Sequence, residues 1–147
     1  ISECLVGSEM CIRDRYKADY ERAVELLQDV DLPEARYNLG LLKARQRKLR
    51  EAYELLRPFG DLNSAISALS VNENGEAKRM LDALDVHTPV AEYARSLVFA
   101  RTKDTGSFYK HIGNACGDDK LRRRAATEPD FYPYREEEAF RKLTDKR

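Results

Sequence analysis

The sequence predicts an all-α protein built from helix pairs that recur along the chain. Three observations carry the prediction. Apolar residues return at i, i+3, i+4 and i+7 in segment after segment. Short clusters of Pro, Gly, Asn and Asp separate those segments. Leu, Ala, Glu, Arg and Lys dominate, which favours helix, and no stretch alternates with β-branched residues as a strand would.

Taken in order, Lys17 to Val30 reads as a helix with Tyr20, Ala23, Leu26, Leu27 and Val30 inward. Asp31 as N-cap and Pro33 in the first turn start a second helix that runs to about Arg47. Its apolar face is Tyr37, Leu41 and Ala44, flanked by Leu42. Gly40 in its middle costs ~1 kcal/mol of propensity relative to Ala, which close approach of a neighbouring helix would offset. A third helix, about Leu49 to Arg57, carries Ala52, Tyr53, Leu55 and Leu56 and ends at Pro58 and Gly60. Asp61 or Asn63 can cap a fourth with Ala65, Ile66, Ala68 and Leu69. A turn at Asn72, Asn74 and Gly75 leads to Glu76–Leu84, with Ala77, Met80, Leu81 and Leu84 inward. Thr88-Pro89 opens a helix to Thr102. Phe108, Ile112 and Ala115 mark its partner, closed by Gly117. Lys120–Ala126 is a short helix, Glu128–Tyr134 an ordered non-helical strap, and Glu136–Leu143 a last short helix.

Composition narrows the function. Lys plus Arg and Asp plus Glu number 26 each, so the net charge gives no argument for a nucleic-acid footprint. No apolar run approaches the ~20 residues that span a bilayer.

The first fifteen residues read differently from the rest. They lack any period and join abruptly to the pattern that starts at Tyr16. Leu5 to Asp14 back-translate to CTC GTG GGC TCG GAG ATG TGT ATA AGA GAC, which resembles a transposase sequencing adapter with its mosaic end. Residues 1–15 are therefore expected to be adapter-derived, and disordered or non-native. Residues 16–117 are expected to be the repeats and 118–147 the cap. Upstream repeats, or an upstream domain, are then missing. Cys4 and Cys11 also leave the cysteine count, and Cys116 alone does not reveal a redox compartment.

The segments resemble one another. Tyr20-x-x-Ala23-x-x-x-Leu27-x-x-Val30 is similar to Leu49-x-x-Ala52-x-x-x-Leu56-x-x-Phe59, and Gly75-x-Ala77-x-x-x-Leu81-x-x-Leu84 continues the series. The anchors fall at 23, 52, 77 and 108, spacings of 29, 25 and 31 residues, slightly below the ~34 of the tetratricopeptide repeat. Ala35-Arg36-Tyr37-Asn38-Leu39-Gly40 followed by Arg50-Glu51-Ala52-Tyr53 resembles the tetratricopeptide signature. The Leu-Gly pair matches the first helix of a repeat, Ala52 the small residue where the second helix crosses it, and Pro89 a repeat end. Arg36 departs from the pattern, which prefers a bulky aromatic there. The resemblance covers most of Lys17 to Gly117. It implies antiparallel helix pairs in a right-handed solenoid, about three repeats plus a C-terminal cap. It also implies repeat-packing roles for Ala23, Tyr37, Leu39, Gly40, Ala52, Ala77 and Phe108.

The strap from Thr127 to Arg135, followed by Ala139-Phe140, resembles the closing segment of many bacterial repeat arrays. Phe131, Tyr134 and Phe140 would then seal the last pair, whose apolar face otherwise stays open. A second resemblance runs from Pro58 to Leu69, then Ala91 to Ala94 and Ala100 to Thr102. These stretches are similar to the helical tail of bacterial outer-membrane-associated proteins that carry an OmpA-like domain. That resemblance implies a C-terminal module of a peptidoglycan-associated envelope protein and a periplasmic setting.

No residues assemble into expected catalytic chemistry. His87 and His111 lie in different units, with no carboxylate or cysteine at metal-ligand spacing, so neither a metal nor a cofactor is expected. Cys116 reads as a small half-buried residue. Glu136, Glu137 and Glu138 read as acidic residues favoured at a helix start, and Arg122, Arg123 and Arg124 as a solvated face. Some tetratricopeptide domains clamp a peptide carboxylate with Asn and Lys or Arg. Asn38 matches one clamp position and Asn63 roughly the next, but Val90 and Ala94 stand where basic residues are required, so that clamp is incomplete. A looser groove of Asn38, Leu42, Arg45, Asn63 and Arg101 is the expected partner-binding surface. The expected function is a non-catalytic scaffold for a protein or peptide partner.

Overall fold

A computed structural model describes residues 9–145, with side chains from residue 17 onward. Residues 1–8, where the adapter-derived segment is expected to start, lie outside the described residues. Among the described residues the chain is all-helical, with no strand, and no helix is long and apolar enough to cross a membrane. Compactness divides the chain into Ile1–Phe59 and Gly60–Arg147, whereas the sequence reading drew its boundaries at 15 and 117. The division falls where Pro58 and a left-handed Gly60 (φ 60°) interrupt the backbone.

The first unit holds α1 (Glu9–Gln28), α2 (Pro33–Arg45) and α3 (Leu49–Leu56), then a 3-10 turn at Arg57–Phe59. Helix α1 begins ahead of Lys17, so its first turns run through residues 9–15. Its inward stripe differs from the predicted one. Val24 is buried, while Leu26 is 70% exposed and Val30 38%. Helical spacing explains the shift: Tyr20, Ala23, Val24 and Leu27 form one stripe, and Leu26 and Val30 lie on its flank. Asp31 is not the N-cap of α2. Leu32 holds that place in an extended conformation (φ −130°, ψ 143°), because proline disfavours helical geometry in the residue before it. Asp31 instead pairs with Arg36 at 3.7 Å. Gly40 lies where α2 meets α3. A Cβ there would stand 2.7 and 2.8 Å from the Leu56 side chain and 3.2 Å from Leu55 Cβ. Ala52, Tyr53 and Leu56 are buried.

The second unit holds α4 (Leu62–Ser70), α5 (Asn74–Ala83), α6 (Pro89–Thr102), α7 (Thr105–Ala115), α8 (Asp119–Ala125) and α9 (Glu138–Thr144). Asp61, not Asn63, caps α4. Its carboxylate accepts from Ser64 N at 2.9 Å while Ser64 Oγ accepts from Asp61 N at 3.3 Å, a reciprocal box. Asn63 sits inside the first turn. Helix α5 takes in Asn74 and Gly75, both predicted to be turn residues, because Asn72 alone (φ 63°) supplies the reversal.

The same turn closes α2, α4 and α6. Each ends with a left-handed residue that is not glycine: Arg47, Asn72 and Lys103. In each, the next amide reaches back five residues: Lys48 to the Lys43 carbonyl, Glu73 to Ala68 and Asp104 to Phe99. In each, the left-handed residue's own amide reaches back three, to Ala44, Leu69 and Ala100. This is the Schellman pattern, which satisfies carbonyls left open at a helix end.

The strap is a correction. Pro129–Tyr134 forms a 3-10 helix rather than non-helical chain. A short 3-10 segment tolerates Pro133, since its prolines fix φ near the required value. The segment seats Phe131 and Tyr134 in the core. Phe108 stands at the centre of that core, fully buried, with Tyr134 stacked on it at 4.0 Å and Phe131 edge-on at 5.1 Å. Phe140 lies 6.3 Å away.

Candidate partner-binding groove

Helix α6 is buried over most of its length, and its two sides do different things. Val90, Tyr93, Ala94, Leu97 and Arg101 share one side at helical spacing. They form a groove with Ile66, Leu69 and Ser70 of α4, Leu121 and Arg124 of α8, and Glu128. The groove is open to solvent and its volume is about 220 Å³, enough to seat one large apolar side chain. Aliphatic side chains line much of it. Its polar features cluster at Tyr93, whose hydroxyl donates to Glu128 Oε2 at 3.1 Å and whose ring lies 5.9 Å from the Arg124 guanidinium. Burial, then the Glu128 charge, push the Tyr93 phenol far above its ordinary pKa, with Arg124 opposing. The hydroxyl therefore stays a donor. Val90 is 45% exposed and offers apolar surface at the groove edge.

Arg101 lines this groove, and its guanidinium is committed within the unit. Nη1 donates to the Leu69 carbonyl at 2.8 Å and to Asn74 Oδ1 at 2.7 Å. Nε and Nη2 donate to Asp130 Oδ2 at 3.2 and 2.9 Å. Arg101 thus ties the strap to the α4–α5 turn. The other expected partner residues lie elsewhere. Asn63 is exposed in the first turn of α4, and Asn38, Leu42 and Arg45 sit on α2 in the first unit. Asn38 lines a separate depression with Pro33, Glu34, Tyr37 and Phe59. Sequence reasoning took Val90 and Ala94 as misfits to a carboxylate clamp and Tyr93 as part of an apolar stripe, and it missed Tyr93, Arg124 and Glu128 as a group.

The opposite side of α6 carries a polar cluster that spacing did not reveal. Glu92 is buried, its side chain 6% exposed. Its Oε2 accepts from His111 Nδ1 of α7, and its Oε1 lies 3.3 Å from His87 Nδ1 and 3.4 Å from Arg95 Nη1. Burial by itself would raise the Glu92 pKa. Hydrogen bonds from His111 and His87, with the His111 and Arg95 charges, outweigh it and hold the carboxyl below its usual range. Arg95 donates to the carbonyls of Val86 (2.7 Å), Leu84 (3.0 Å) and Leu81 (3.2 Å), closing the open end of α5. Phe99 stacks on His111 at 5.3 Å. The two histidines, read from sequence as unrelated, thus share one carboxylate. Among the described residues no group of three or more His, Cys, Asp or Glu could hold a metal ion.

The remaining singled-out residues have plain surroundings. Cys116 is buried, and burial pushes its thiol up, with the Arg122 charge opposing. Glu137 accepts from the Tyr109 hydroxyl, and Glu138 pairs with Lys142 at 3.0 Å. No family model, curated protein or solved structure matches the chain.

Proposed function

We propose that this chain is a non-catalytic scaffold that holds a protein or peptide partner, arranged as a tetratricopeptide-like array of helix pairs. One observation carries the reading. The groove along α6 is lined by the first helices of successive pairs, α4 and α6, and by α8 after them, with aliphatic walls and a polar cluster at Tyr93. A surface of that kind suits an apolar anchor side chain with hydrogen-bonding groups beside it. The threefold recurrence of one turn after α2, α4 and α6 supports a repeated pair.

The test is selection of peptides from a random phage-displayed library on the immobilised chain. Binding is then measured by fluorescence polarisation against Val90→Lys and Ser70→Arg, both exposed groove residues. Peptides bound by the parent chain and lost at least tenfold in either variant, at unchanged melting temperature, support the reading. No enriched peptide, or equal binding by both variants, overturns it.

A further inference from the structure

His87 lies in the connector between α5 and α6, residues 84–88, which forms no helix. Both of its ring nitrogens face carboxylates. Nδ1 stands 3.3 Å from Glu92 Oε1, and Nε2 stands 3.1 Å from Asp85 Oδ1. A neutral imidazole has one N–H and donates to one of them, whereas the imidazolium donates to both. The two carboxylates differ in exposure. Asp85 is fully exposed on the connector, while Glu92 is buried on α6 and fixed by His111 and Arg95.

We propose that the α5–α6 connector carries a proton-operated latch, closed when protonated His87 bridges Asp85 to Glu92 and half-released when the ring is neutral. Asp82, from α5, lines the same depression and pairs with Lys78 at 2.7 Å. Arg95, from α6, spends its guanidinium on the Leu81, Leu84 and Val86 carbonyls and so holds the connector's start regardless of His87. His111, from α7, occupies Oε2 of Glu92, and Oε1 is shared by His87 Nδ1 at 3.3 Å and Arg95 Nη1 at 3.4 Å. Glu92 is held below its usual carboxylate range and so stays an anionic acceptor for His87 Nδ1 near neutral pH. Protonation of the ring therefore adds the second arm of the latch, and loss of that proton removes it. The moving part is short, from Asp85 to the cap residue Thr88, which anchors the start of α6.

The experiment reads the full chain by NMR. Long-range proton–nitrogen spectra report the charge state of the His87 and His111 rings separately, with His87→Gln supplying the assignment. Hydrogen exchange, corrected for intrinsic rates, reports protection of the Ala91 and Glu92 amides, both of which end on Thr88. Protection at these amides should be about two- to fivefold greater near pH 5.5 than near pH 7.5, the size of a partly exposed charge pair. His87→Gln and Asp85→Asn should both abolish the rise. His87 is 69% exposed and Asp85 fully so, so neither change threatens folding. A rise that persists in His87→Gln overturns the latch, as does a parent chain with no pH response at these two amides.

Discussion

Replacing Gly40 by Ala sets two effects of similar size against each other. In a helix interior, Ala is favoured over Gly by ~1 kcal/mol. The added methyl would sit 2.7 Å from Leu56 Cγ and 2.8 Å from its Cδ2, where carbon atoms in good contact stand about 3.5–4.0 Å apart. Leu56 is 1% exposed, and its Cγ is not a free chain end. It cannot swing away without disturbing the rest of the α2–α3 contact. Overpacking of this kind costs about 1–3 kcal/mol, so the clash should win by about 1 kcal/mol and Gly40→Ala should destabilise. Leu56→Ala removes the two closest atoms, leaves Leu55 Cβ at 3.2 Å to give by a few tenths of an ångström, and opens a cavity costing about 2–5 kcal/mol. In that background Gly40→Ala should reverse sign and stabilise by about 1 kcal/mol. The chain has no Trp, so urea denaturation followed by circular dichroism at 222 nm is the assay. A double-mutant cycle should give a coupling of about 2 kcal/mol. Zero coupling, with Gly40→Ala stabilising both backgrounds equally, would refute the close-approach account of this glycine.

Further outcomes follow from the second unit. Lys103→Gly should stabilise by about 0.5–1 kcal/mol, because a side chain at φ 61° carries strain that glycine lacks; a lowered melting temperature counts against it. Arg101→Gln should cost about 1–3 kcal/mol, since Asp130, Asn74 and the Leu69 carbonyl all lose a donor, and chemical denaturation measures it. Phe131→Ala and Tyr134→Ala should each cost about 3–5 kcal/mol by emptying the space against Phe108; unchanged melting would remove the sealing role. For Glu92, the folded carboxyl titrates below its usual value of 4.5. Its charge therefore contributes stability above that value, lost as pH falls through the lowered one. Glu92→Gln should melt lower than the parent near neutral pH but decline less between about pH 5 and pH 3.

Much of the helical pattern was readable because it depends on local chemistry. Pro33 and Thr88-Pro89 mark helix starts by fixed φ and a side-chain cap, and Ala52, Ala77 and Phe108 fall where spacing puts the core. What escaped were features decided by tertiary neighbours. Leu26 and Val24 are equally apolar, so only packing decides which of them turns inward. Glu92 and His111 are nineteen residues apart and on different helices, so no spacing rule links them. Tyr93, Arg124 and Glu128 converge because α8 and the strap fold back on α6, which a single sequence does not disclose. The spent guanidinium of Arg101 was not legible, since its partners come from three separate segments. The three left-handed turns escaped for another reason: their positions hold Arg, Asn and Lys instead of the glycine that normally advertises them.

Those turns also bear on how the chain reaches its fold. Each closes a loop only five residues apart along the sequence, and each joins two helices that then meet along their length. Such closures form on the tens-of-nanoseconds scale, far faster than long-range pairing. Contacts between neighbours in sequence dominate within α2–α3, α4–α5 and α6–α7, the topology of quick folders. The strap is the exception, since Arg101 and Asp130 must find each other across twenty-nine residues. Helix pairs should therefore assemble early and independently, and docking of the strap onto Phe108 should be the slow event that completes the second unit.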